Sequence, residues 1–204
     1  MQLQNPEISL TDFADFIFKS GTTRLTHVKN LKARRNYHPA SDYWRQLREN
    51  IIEEHPTSSD VDDWSYKLLA NLQNPQKREN YLKATMGFSH FLKNRDVEYF
   101  KSSRIVWSYA GLTIRLNPEV GMAFDGSRYH TKFYFKADQI RKSQANVVLY
   151  LLHHGLFSHI QDGNFALIDI QRGKPYFYDA KEPSLLPLIK AEARAFFEIW
   201  SNLP

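Results

Sequence analysis

The chain has 204 residues, 42% of them hydrophobic and 14% aromatic, enough for one large or two small folded domains and too apolar for a disordered chain. With no cysteine, disulfides, thiolate zinc sites and cysteine nucleophiles are excluded, and the longest apolar run, VVLYLL at 147–152, is too short to span a bilayer. The formal net charge is +5, and its location carries more information than its size.

MQLQNPEISL has neither the basic nor the apolar region of a secretory signal, so a cytoplasmic protein with no membrane partner is expected. Ser9-x-x-Asp12 has capping-box spacing, Phe13, Phe16 and Ile17 form an apolar stripe, and Gly21 suits the end of this first helix. Between Phe16 and Ser41 lie six basic residues (Lys19, Arg24, Lys29, Lys32, Arg34, Arg35) and no acid, leaving 21 basic residues against 22 acids elsewhere. Leu25, Val28 and Leu31 predict a helix here, although Lys32 and Arg35 share their arc. Such a segment is either a solvated basic face or a phosphate-binding patch made by Arg24, Lys29, Lys32, Arg34 and Arg35.

Ser41 can cap a helix carrying Trp44, Leu47 and Ile51, stopped by Pro56. A helix around 60–73 follows with Val61, Trp64, Leu68 and Leu72, and Asn74-Pro75 opens another through Leu92. From about Arg104 the apolar period becomes two. Leu112, Ile114 and Leu116 predict a strand, and the even positions stay apolar through Val120, Met122 and Phe124, with an edge or bulge at Pro118. Ser143 can cap a helix through His154, ended by Gly155. Residues 165–171 and 175–178 predict a hairpin joined by QRGK, and a closing helix opens at Ser184 or Pro187.

Asp125-Gly126 is a hairpin turn. Placing both at its centre makes facing residues sum to 251, so Val120 faces Thr131, Leu116 faces Phe135, Glu119 faces Lys132 and Arg115 faces Lys136. Phe133 and Phe135 then turn to the buried side, and His130 lies diagonal to Glu119 on the polar side. A cross-strand ion pair on a solvated face is the simplest role for Glu119 and Lys132.

Residues 104–171, with a helix before three strands, a Pro-acid element, then a helix and a strand, resemble the core of PD-(D/E)XK nucleases. In that superfamily an aspartate after proline and a Glu-x-Lys hold a divalent metal and activate water. The resemblance sets Pro118-Glu119 against the first element and His130-x-Lys132 against the second. The second carboxylate is absent, which implies a degenerate, inactive nuclease-like hairpin. SGTTRLTHVKN, NPEVG and YFKA are similar to stretches of an uncharacterised bacterial protein family, which implies a single architecture and no particular activity.

His153, His154 and His159 in HHGLFSH lack the spacing of a metal-binding helix, and His153 and His154 suit the negative end of a helix dipole. Asp169 in FALIDIQ either lines a site or pairs with Arg172 or Lys174. The four tryptophans sit at core-like positions. The expected fold class is α+β: a helical N-terminal half (1–98) packed on a small mixed β-sheet with two flanking C-terminal helices (99–204), as two regions or one continuous domain. The leading functional expectation is a nucleic-acid-associated protein using the basic segment, with no catalytic residue, metal or cofactor assigned. The alternative is a non-enzymatic protein-interaction module. The third is an active metal-dependent nuclease built on Glu119, His130, Lys132 and Asp169.

Overall fold

The even-numbered apolar run from Leu112 to Phe124 serves two sheets rather than one. In the computed structural model, which describes residues 5–34, 42–160, 162–181 and 184–204, the chain changes sheet at Pro118. Strand β4 (Leu112–Leu116) turns Leu112, Ile114 and Leu116 into one core, while β5 (Val120–Phe124) turns Val120, Met122 and Phe124 into another. A proline has no amide hydrogen for a ladder, so the regular pairing of β5 cannot run back through it. β4 instead lies between β1 (Glu7–Ser9), which is parallel to it, and β3 (Ile105–Tyr109), which is antiparallel.

This corrects the expected extension of the hairpin. Leu116 pairs with Ile105 rather than Phe135, Arg115 bonds Glu7 at 3.0 Å, and Lys136 pairs with Asp15. The hairpin register itself is as the turn dictates. Asp125 and Gly126 adopt φ 51° and 74°, the left-handed pair of a tight turn, and Val120 faces Thr131 while Phe124 faces Ser127. Phe133 and Phe135 are buried with Val120.

The second sheet has five strands in the order β2 (Glu98–Phe100), β5, β6 (Ser127–Tyr134), β7 (Asn164–Asp169) and β8 (Lys174–Phe177). β6 and β7 are parallel and joined through α6 (Lys142–Leu156); the other pairs are antiparallel. The α+β class is therefore built on two mixed sheets instead of a single small one. β7 is buried on both faces, with Phe165 and Leu167 in one core and Ile168 in the other, so its sequence reads as a continuous apolar run.

The helical half is divided between these cores. α1 (Leu10–Phe18), α2 (Thr22–Ala33) and α7 (Leu186–Asn202) pack around the three-stranded sheet. α3 (Arg45–Glu54), α4 (Val61–Ala70) and α5 (Pro75–Leu92) cover one face of the five-stranded sheet. α6 touches β7 and β8 on one side and β3 and β4 on the other, and so joins the two sheets. Local chemistry starts the helices. Ser9 Oγ accepts from the Asp12 amide at 3.0 Å, and Asn74 Oδ1 from the Lys77 amide at 2.9 Å ahead of Pro75. The expected cap at Ser41 lies outside the described residues. Ser143 and Gly155, expected at the ends of α6, are inside it. Gln144 Oε1 accepts from the Arg141 amide at 2.9 Å to close the start, and Gly155 lets the helix approach Leu116.

Gly87 on α5 faces the turn after β7, where a Cβ would stand 2.2 Å from the Ile170 carbonyl oxygen. Backbone cannot yield as a side chain can. Gly87→Ala, which in an exposed helix would gain about 1 kcal/mol, should here lose about 1–3 kcal/mol or more through overpacking. Urea unfolding of the two proteins measures this; a gain in stability would contradict the packing described.

Candidate phosphate-binding cleft

Glu119 occupies the gap that Pro118 leaves in the ladder. Its amide donates to the Thr131 carbonyl at 2.8 Å, its Oε2 accepts from the Phe133 amide at 2.8 Å, and its Oε1 accepts from Lys132 Nζ. Lys132 Nζ also reaches the Asn117 carbonyl at 3.3 Å. The two side chains are only 10% and 13% exposed. The ion pair foreseen from the register is formed, but it is largely buried and not on a solvated face. Both carboxylate oxygens are committed to closing the end of the hairpin.

Asp169 is fully buried and bound by Arg172 at 3.2–3.3 Å, the nearer of the two expected partners in chain order; Lys174 faces it across the β7–β8 ladder. Burial raises its carboxyl pKa, and Arg172 opposes that shift. His130 is buried against Ser102, whose Oγ lies 2.7 Å from Nδ1, and the Asp162 carbonyl lies 3.3 Å from Nε2. Burial pushes the His130 pKa down, partly offset by Asp162. Of the nuclease-like set, Glu119 and Lys132 thus pair with each other, while His130 and Asp169 each have separate partners. Among the described residues, no group of three or more His, Asp or Glu comes together in a way that could hold a metal ion.

Two cations of the basic segment, Arg24 and Lys32, are spent inside the fold. Arg24 donates to the Lys19 and Ile17 carbonyls, pairs with Glu192 at 2.9 Å and lies over the Phe16 ring, tying α2 to α1 and α7. Lys32 Nζ donates to the Trp200 and Leu203 carbonyls at 3.0 and 2.6 Å, closing the C-terminal end of α7, which is why it shares an arc with buried Val28 and Leu31. Lys29 and Arg34 are exposed, Arg34 with a 3.4 Å contact to Asp12, and Arg35 lies outside the described residues. His153 stacks on Tyr178 at 4.0 Å, and burial, then His154, lowers its pKa, so packing prevails over the expected interaction with the helix dipole.

A different cationic cluster faces open space. The chain crosses between the two sheets twice at one end of the molecule: residues 101–104 lead from β2 to β3, and residues 117–119 lead from β4 to β5. Between the crossings is a cleft of about 940 Å³ lined by Lys101, Ser102, Ser103, Arg104 and Glu119, with His55 and His159 at its sides. Its apolar wall includes Ile52, Tyr99, Phe100 and Ile105. Lys101 and Arg104 are exposed and form no ion pair among the described residues, and Glu119, an acid of the lining, is neutralised by Lys132. A smaller depression of about 360 Å³ between α3 and α4 is lined by Glu54, Asp60 and Asp63 with Lys67, a setting unsuited to an anion.

KSSR at 101–104 is not among the candidate residues of the sequence, where it falls just inside the second region, 99–204. Its one local signal is two cations and two hydroxyls within four residues and no acid. Comparison with protein-family models, curated proteins and solved structures finds no match.

Removing one member of a buried pair strands the other. Glu119→Ala should cost about 3–5 kcal/mol in urea unfolding, because Lys132 and the Phe133 amide lose their partner together. Glu119→Leu with Lys132→Met should recover part of that loss; a single variant as stable as the wild type would contradict the closure described. A pH effect follows from the histidines. Unfolded His130 and His153 take up protons near the ordinary 6.5, while the folded chain resists protonation. Stability should therefore be complete above that pH and fall as pH drops from there through the lowered folded values. Unfolding curves at stepped pH check this, and a rise in stability over that window would contradict it.

Proposed function

We propose that the protein binds nucleic acid, and that the phosphate backbone sits in the cleft at residues 101–104. The observation that carries this reading is the pairing state of the cations. Among the described residues Lys101 and Arg104 form no ion pair at a cleft of about 940 Å³, whereas Arg24 and Lys32 are consumed by internal contacts. An arginine and a lysine with serine hydroxyls between them supply the donors that a phosphodiester accepts. The apolar wall of Tyr99, Phe100 and Ile105 offers a surface for sugar or base, which suits a single strand more than a rigid duplex. The resemblance of residues 104–171 to the nuclease core points to the same class of ligand, with the Glu119–Lys132 pair as scaffold at the back of the cleft. No helix of the described residues is long and apolar enough to cross a membrane.

A protein-docking role has its own observation: Leu82 and Met86 lie one turn apart on α5 and are 44% and 64% exposed. The two readings part in a titration of fluorescein-labelled oligonucleotides, single- and double-stranded, DNA and RNA, at several salt concentrations. Lys101→Ala with Arg104→Ala should weaken binding across sequences and flatten the salt dependence by about 0.7–0.9 per lost phosphate contact. Lys29→Ala with Arg34→Ala should change it less. Unchanged affinity and slope in the first double variant would overturn this site, and no binding even at low salt would favour docking through α5.

A further inference from the structure

Ser102 and His130 have an arrangement that charge complementarity alone does not require. The Asp162 carbonyl near Nε2 can only accept, so in the neutral ring the proton resides on Nε2 and Nδ1 is left as an acceptor. Nδ1 then takes the Ser102 hydroxyl proton at 2.7 Å. The ring is held on its other sides by Phe100, edge-on at 5.4 Å, and by Phe165 at 5.7 Å. The base is thus buried and fixed in one tautomer, while Ser102 lines the open cleft between two cations. Hydroxyl, oriented base and a third group fixing the base are the parts of an activated serine.

We propose that Ser102 is a nucleophile and His130 its general base, acting on a phosphodiester whose non-bridging oxygens are met by Lys101 and Arg104. Ser102 Oγ attacks phosphorus and its proton passes to His130 Nδ1. The bond from phosphorus to the leaving oxygen breaks, and that oxygen takes the proton from Nδ1 and departs as an alcohol. Water then attacks the seryl phosphodiester and gives a proton to Nδ1. The bond from phosphorus to Oγ breaks, and Oγ recovers the proton. The sum is a diester and water giving a monoester and an alcohol. Phosphoryl chemistry is favoured over acyl chemistry because the groups flanking the nucleophile are cations, which match the charge of phosphoryl oxygens. Burial keeps the imidazole unprotonated at neutral pH, as a base requires. The charged groups facing it are Arg128 and Asp162, which pair with each other at 3.1 Å.

The choice of substrate rests on the nucleic-acid reading; the nucleophile does not, and the test separates them. The full chain is treated with an alkyl fluorophosphonate, itself a phosphoryl electrophile, in the presence of EDTA, and the adduct is mapped by mass spectrometry. A single adduct on Ser102 is expected, absent in Ser102→Ala and formed at least about tenfold more slowly in His130→Gln. Should His130→Gln fail to fold, the wild type still decides: labelling should be level above neutrality and slow as pH falls through the lowered value of the buried ring, which lies below the ordinary 6.5. No adduct on Ser102, or a rate indifferent to pH over that range, overturns the proposal. A chain that binds oligonucleotides but is not labelled retains the binding site and loses the nucleophile. A chain that is labelled but binds none retains the nucleophile and loses nucleic acid as its substrate. Turnover of bis(4-nitrophenyl) phosphate in EDTA, lost in Ser102→Ala, would extend the result from labelling to catalysis.

Discussion

Pro118 offers no amide hydrogen, and the architecture follows from where that gap falls. β5 can pair with β6 only as far back as Val120, so the chain before it is released to join another sheet. The exposed end of the ladder must still be satisfied. Glu119 does this with its side chain, taking the Phe133 amide on one oxygen and Lys132 on the other. A buried ion pair of this kind adds little net stability over an apolar filling, but half of one is costly. Its consequence is positional: it pins the crossing from β4 to β5 against β6, at the end of the molecule where the chain also crosses from β2 to β3.

The cleft lies between those crossings. Clefts at the junction of packed layers are common places for ligands because side chains from separate elements converge without filling the space. Here the convergence is electrostatically one-sided. Glu119 is neutralised by its lysine, and among the described residues Lys101 and Arg104 form no ion pair on segments that the two sheets hold in place. The same end of the fold holds buried His130 against the hydroxyl of Ser102, so cationic surface and an oriented imidazole occur together.

The features legible in the sequence are those set by near neighbours. Ser9 and Asn74 cap within three residues, and Asp125-Gly126 fixes its register through backbone conformation alone. The alternation of Leu112 to Phe124 marks the buried apolar side chains of both strands. It cannot say that two cores receive them, because the change of sheet at Pro118 depends on β1 and β3 taking up β4. The charges were harder to read for the same reason. Arg24 meets Glu192 and Lys32 meets the end of α7, 168 and 171 positions away, and no count of local charge anticipates that these two cations of the densest basic segment are committed inside the fold. The shorter run at 101–104 spans a junction where, among the described residues, no acid but Glu119 lines the space.

The central claim is that the ligand surface is the junction between the sheets and not the basic helix. A two-dimensional amide NMR titration of the wild-type chain with a short oligothymidylate addresses this without any substitution. Shifts concentrated at residues 101–104, with His55 and His159 at the sides of the cleft, are the result predicted. Shifts confined to α2 around Lys29 and Arg34, or to α5 around Leu82 and Met86, would contradict it.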